Sequence, residues 1–170
     1  IIDQHALHER VMFEELKARM AEGNLESQQL LVPESFPADS AWLDAIETQQ
    51  ALFTKLGIEI SPSGPASISV YALPTLLVSR NVDGTEFICD LLDKLGSNNL
   101  PATEEEALSE ILDMMSCKAA IKAGDQLTQH ELRDLLQRRR EIERSSNCPH
   151  GRPTTMRLSI EELEQRFGRR

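Results

Sequence analysis

The sequence predicts an α+β fold on three observations. "IEISPSG" and "ASISVYALP" alternate apolar and polar residues about a Pro/Gly turn and read as two strands. "SAWLDAIETQQALFTKLG" repeats apolar residues at helical spacing. From Thr103 onward the pattern turns helical again, with Thr103/Glu106 and Thr128/Glu131 each fitting a capping box.

Taken in order, Ile1-Ile2-Asp3 reads as the end of a strand, so the chain is expected to be a piece of a longer protein. Helix formers from about Ala6, with Leu7, Val11 and Leu16 in one stripe, predict an amphipathic helix stopped by Gly23-Asn24. Asp3 stands just before its first turn, where a carboxylate suits the open N–H groups and the helix dipole. "QQLLVPESF" is a short apolar run broken by Pro33, which predicts an edge strand or extended segment. The helix from Ser40 to Gly57 takes Ser40 as its cap and Leu43, Ile46, Leu52 and Leu56 as its apolar line. "GTEFICDLLDKLG" is a helix between glycines, with Cys89 expected as a buried packing residue, and "SNNLPAT" is a linker. The helix from Thr103 is expected to stop at Gly124, and "LTQHELRDLLQRRREIE" forms the next one. A loop "RSSNCPHGRP", a strand "TTMRLSI" and a helix "EELEQRFGRR" close the chain. The expected organisation is one discontinuous subdomain, 1–27 with 103–170, holding an inserted smaller α+β subdomain, 28–102.

Composition narrows the function classes. In 170 residues, 40% are hydrophobic and 27% charged, as in a globular protein. No apolar run approaches the roughly 20 residues of a membrane span. Three cysteines do not make a disulfide framework, so a reducing, cytoplasmic setting is expected. The net charge of −10 argues against tight unaided DNA binding. The charge is uneven: residues 1–116 hold 6 basic and 20 acidic side chains, residues 117–170 hold 12 and 8.

The chemistry-bearing residues gather in a few places. Cys148 and His150 stand two apart in a Pro-constrained loop, and a thiolate with an imidazole at that spacing can reach one divalent ion. Such an ion needs about four ligands. His5 and Glu9, four apart, share a helix face if the first turn includes His5, and Cys117 offers a second thiolate. Against this, Cys117 in an amphipathic helix also reads as a small buried residue. His8 falls one position off the His5/Glu9 face, and His130 lies in a first helical turn beside Gln129 and Glu131; both are expected as exposed structural residues.

These stretches resemble a known family. "DQHALHERVMFEE" fits D-Q-H-A-x-x-E-x-x-x-x-E, the signature of the C-terminal nuclease domain of the MutL family of mismatch-repair proteins, and "SCKAAIK", "CPHGRP" and "FGR" follow in the family's order. "QQLLVP" resembles the family's sliding-clamp-binding element Q-x-φ-L-x-P, where φ is apolar. The resemblance runs from Asp3 to Arg169. It implies a homodimerising domain that nicks one strand of duplex DNA with divalent metal, in a protein whose ATP-binding part lies upstream. It further implies catalytic and metal residues at Asp3, His5, Glu9, Cys117, Cys148 and His150. Glu14, Arg152 and Arg169 would support them, and Gln28, Leu30, Leu31 and Pro33 would dock on the replication sliding clamp. Full-length family members also answer to a mismatch-recognition protein.

The residue chemistry suits that set. One or two Zn²⁺ ions sharing Glu9 would use about this many donors, and paired ions suit phosphodiester displacement. Asp3, a hard oxygen donor, suits a more loosely held Mn²⁺ or Mg²⁺. The alternative is a non-catalytic dimerisation and clamp-docking module with a structural zinc. A thiol enzyme built on Cys148 and His150 is disfavoured, since residues two apart in such a loop need not face each other and no orienting third group is evident.

Overall fold

The computed structural model describes residues 1–96, 103–121, 125–142 and 146–168. The linker 97–102, Gly124 and Arg169 lie outside the described residues. The chain divides into two compact units, Ile1–Glu14 with Ala120–Arg170, and Glu15–Ala119. Helices and a small antiparallel sheet make the fold α+β.

The first unit is built on helix α1, Gln4–Glu22, which continues into the second unit's sequence. The Asp3 Oδ1 accepts from the N–H groups of His5, at 3.0 Å, and Ala6, at 3.1 Å. This N-cap starts the helix two residues before the expected Ala6. Leu7 and Val11 pack with Leu135 of helix α7, Gln129–Glu141, and with Leu127 and Ile142 at its ends. Thr128 and Glu131 form the expected capping box of α7.

The expected strand "TTMRLSI" does not form. Its pairing stops at a single bridge between Ile2 and Thr155, flanked by Asp3 N–H to Thr154 O and Met156 N–H to Ile1 O. Ser159, at the end of the segment, instead caps helix α8, Ile160–Arg166, in a capping box with Glu162.

The second unit holds a three-stranded antiparallel sheet, ordered β1 (Ser27–Pro37), β3 (Ser67–Pro74), β2 (Glu59–Gly64). β3 is the centre, with Ile68, Val70 and Ala72 buried. β1 is an edge, as its prolines require. Its register against β3 jumps between Gln29, opposite Ala72, and Glu34, opposite Val70. Leu30 to Pro33 therefore leave the ladder as a bulge facing a single residue of β3.

The helix expected from Ser40 to Gly57 breaks in two, α2 (Ser40–Thr48) and α3 (Gln50–Lys55). Thr48 Oγ1 donates to the carbonyls of Asp44 and Ala45, a back-bonding that bends helices. The cap is Asp39 rather than Ser40, its carboxylate accepting from Trp42 N–H at 2.9 Å. A short helix not anticipated in the sequence, α4 (Thr75–Ser79), follows β3 and buries Leu77.

Helix α5, Gly84–Gly96, buries Phe87, Ile88, Leu91, Leu92 and Leu95. That stripe leaves Cys89 partly exposed, where it was expected to be buried. Burial, then the charges of Asp93, Asp90 and Asp83, push its thiol above the ordinary value. Helix α6, Glu104–Ala119, is joined to α5 by Lys118, whose ammonium lies 2.7 Å from Asp90 and 3.0 Å from Glu86. Burial lowers the Lys118 pKa, and the two carboxylates more than reverse it.

Gly57 ends α3 at φ +72°, and a Cβ there would meet the Leu25 carbonyl oxygen at 2.8 Å. Its own carbonyl accepts from Ser27 Oγ at 2.9 Å. Gly57→Ala is expected to lower stability by about 1–3 kcal/mol in urea unfolding, from the strained backbone alone.

Candidate metal centre

Helix α1 carries His5 and Glu9 one turn apart, and the loop after α7 carries Cys148 and His150. The loop is closed by its own backbone. Cys148 N–H donates to Arg152 O at 2.8 Å and Gly151 N–H to Cys148 O at 2.9 Å. The Asn147 amide donates to Gly151 O at 2.9 Å, and Asn147 bridges to Pro153. Gly151 makes this turn possible at φ +82°.

Glu9 is the centre of the cluster and only 2% exposed. Its Oε1 lies 3.2 Å from His5 Nε2, and its Oε2 lies 3.8 Å from His150 Nδ1. Oε2 is buried and has no hydrogen-bond partner among the described residues. The ligand atoms of Glu9, Cys148 and His150 lie within 4.8 Å of one another. Cys148 is fully buried.

The tautomer of His5 follows from its neighbour. Its Nδ1 bonds to the Ile121 carbonyl, which only accepts, so Nδ1 carries the hydrogen. Nε2 then presents a lone pair to Glu9 Oε1. Two acceptors at that distance call for a cation between them, a proton or a metal ion. An imidazole held through its other nitrogen by a backbone carbonyl is the usual support of a metal-ligating histidine. Sulfur, imidazole and carboxylate donors around an orphaned buried oxygen fit a zinc-type ion.

The same backbone explains why α6 is shorter than expected. Ile121 N–H donates to His8 Nδ1 at 3.3 Å, so it is diverted from the helical ladder, and α6 stops at Ala119 rather than Gly124. His8 is accordingly half-buried and engaged, not an exposed bystander. His130 is exposed, as expected, and pairs with Asp134.

The remaining sequence candidates fall as follows. Asp3 is exposed at the start of α1, acting as its cap. Glu14 accepts from Arg10 Nη1 at 3.0 Å. Arg152 contributes its carbonyl to the loop while its side chain is exposed. Cys117 is exposed on α6 in the second unit. In that unit Leu31 and Val32 of the β1 bulge are exposed, and Leu30 is half-buried. Arg10 escaped the sequence reading, although its four-residue spacing to Glu14 marks a helix-face ion pair.

Comparison with known proteins decides the family. A family model described as the MutL C terminal dimerisation domain matches residues 1–127. The chain belongs to that family. It is 35% identical over its whole length to the DNA mismatch repair protein MutL of Phenylobacterium zucineum, covering 27% of that protein. It is 36% identical over 98% of its length to MutL of Pseudomonas aeruginosa, covering 26%, and 36% identical over its whole length to MutL of Paramagnetospirillum magneticum, covering 28%. The chain thus spans about a quarter of the length of these curated relatives. Membership of a MutL dimerisation family supports a homodimer. No described helix is long and apolar enough to cross a membrane.

The cluster predicts a metal-linked gain in stability. Zn²⁺ at a hundredfold excess over its dissociation constant is expected to stabilise the fold by about 2.7 kcal/mol, read as a raised thermal midpoint. Glu9→Gln supplies an amide N–H that can face His5 Nε2. It is expected to keep the metal-free midpoint at or above that of the wild type and to lose the zinc-dependent rise.

Proposed function

We propose that this domain is the metal-dependent endonuclease of a MutL-type mismatch repair protein, nicking one strand of duplex DNA without sequence specificity. The observation that carries the reading is the buried Glu9, with one oxygen facing His5 and the other orphaned beside Cys148 and His150. In this reading His5, Glu9, Cys148 and His150 hold one or two Zn²⁺ ions. Asp3 adds a hard oxygen for Mn²⁺ or Mg²⁺ and orients water at the exposed start of α1. A bound divalent cation supplies Lewis acidity towards a phosphodiester and an acidified water. The chain's own contribution is a preset tautomer at His5 and a carboxylate at Glu9 whose two oxygens point to different donors.

Partners follow from surface and charge. Ile1, Ile2, Met156, Ile160, Leu163 and Phe167 of the first unit are exposed apolar residues suited to a self-complementary interface. We read the dimerisation and metal-site part as 1–27 with 103–170, and the regulatory part as 28–102. With a net charge of −10, DNA is held weakly by the domain alone. The replication sliding clamp, the upstream ATP-binding part and a mismatch-recognition protein would bring it to DNA in the cytoplasm by raising effective concentration. The β1 bulge, displaying Leu31 and Val32 beside Gln28 and Pro33, is the clamp-docking element in this reading.

A second reading is favoured by one observation. Asp3 already serves as a helix cap, which is all that a non-catalytic dimerisation and clamp-docking module with structural zinc would ask of it. Asp3→Asn separates the two, because an amide oxygen preserves the cap. In the full-length protein this change is expected to abolish Mn²⁺-stimulated nicking of supercoiled plasmid while leaving dimerisation intact. Nicking by the variant at the wild-type rate would remove Asp3 from the catalytic set, and a wild type that does not nick with Mn²⁺ would establish the structural-zinc module.

The docking element has its own test. Gln28→Ala with Leu31→Ala should weaken a short peptide contact by about 1–3 kcal/mol. Stimulation by the sliding clamp is expected to disappear, with zinc binding and clamp-independent nicking unchanged. Full stimulation of the double variant would make the segment an ordinary edge strand.

A further inference from the structure

We propose that Arg10 is the positioning residue that sets Cys148 and His150 against Glu9. This rests on the metal-centre reading above and assigns a role to a residue outside the ligand set. Arg10 is 9% exposed, far below what an arginine on a solvated helix face would show. Its Nε–H donates to the Asn147 carbonyl at 2.7 Å, the residue just before Cys148. Its Nη1 donates to Glu14 Oε1 at 3.0 Å, and the guanidinium lies 5.5 Å from the centre of the Phe13 ring. Three groups therefore fix one side chain, and that side chain holds the loop.

The loop is a closed unit, bonded across itself at Cys148–Arg152, Cys148–Gly151 and Asn147–Gly151. Hydrogen bonds tie it to the α1 segment on both sides of the ligands. Asp3 N–H donates to Thr154 O, after the ligands, and Arg10 donates to Asn147 O, before them. With only the first tie, a rigid loop can pivot about Thr154 and carry Cys148 and His150 away from the helix. The second tie removes that freedom. Arg10 follows Glu9 in the same turn, so ligand and anchor share one rigid element. The guanidinium suits the task because its planar fork serves two acceptors in different directions, whereas a lysine ammonium is a point charge on a flexible stem.

Co²⁺ titration of the full-length protein tests this, because a thiolate bound to Co²⁺ gives a near-ultraviolet charge-transfer band that Cys148→Ser identifies by its loss. Arg10→Lys and Arg10→Ala are expected to weaken Co²⁺ binding about 10–100-fold and to reduce that band relative to the visible d–d bands. Glu14→Gln is expected to do so to a smaller extent. Far-UV circular dichroism and the sedimentation of the dimer should not change. A side chain serving only fold stability would shift the melting midpoint and leave the band intact. Wild-type affinity and band in Arg10→Lys and Glu14→Gln, which keep the buried volume if Arg10→Ala does not fold, would overturn the assignment. Absence of the band in the wild type would overturn the metal centre itself, and this role with it.

Discussion

A carboxylate buried to 2% exposure is the constraint on which the first unit is organised. An anion out of water is destabilising by several kcal/mol unless charge or hydrogen bonds replace its hydration. The neighbours of Glu9 are two imidazoles and a buried thiol, and none of them donates to Oε2. The local backbone is bent to keep this arrangement. Asp3 starts α1 early enough to place His5 in the first turn, Ile121 leaves the helical ladder to fix His5 and His8, and the loop after α7 closes on itself around Cys148.

The ligand spacings were legible in the sequence because they are local. His5 and Glu9 are one helical turn apart, and Cys148 and His150 share a proline-bounded turn. The capped helix α7, the glycine-bounded α5 and the alternating β3 were legible for the same reason. What was not legible depends on partners distant in the chain. The stop of α6 comes from His8, more than a hundred residues earlier, competing for a backbone N–H. "TTMRLSI" has the composition of a strand, yet among the described residues its pairing is a single bridge to a segment more than 150 residues earlier. The break after Thr48 is local, yet it turns on one hydroxyl choosing carbonyls over water, which no periodicity reports. Arg10 was hidden by its type, since a helical arginine is read as solvated until its acceptors are known.

Two lines of support stand apart here. The family match covers residues 1–127 and concerns dimerisation, whereas Cys148 and His150 lie beyond it. The centre therefore rests on geometry and donor chemistry; the relatives match nearly the whole chain at about a third identity overall. Dimerisation by itself does not call for a carboxylate, two imidazoles and a thiol gathered about one buried oxygen.

The interrupted edge of the sheet has a consequence for colloidal behaviour. A continuous eleven-residue edge strand carrying Leu30, Leu31 and Val32 would offer unpaired backbone to any other copy and invite open-ended sheet growth. Lifting Leu30 to Pro33 out of register cuts that edge into two short pieces, and Pro33 and Pro37 each withhold a donor from it. The apolar side chains remain on display while the main chain behind them is unfit as a template. A sticky hexamer can thus be carried on the surface of a repair protein with little risk of its polymerising.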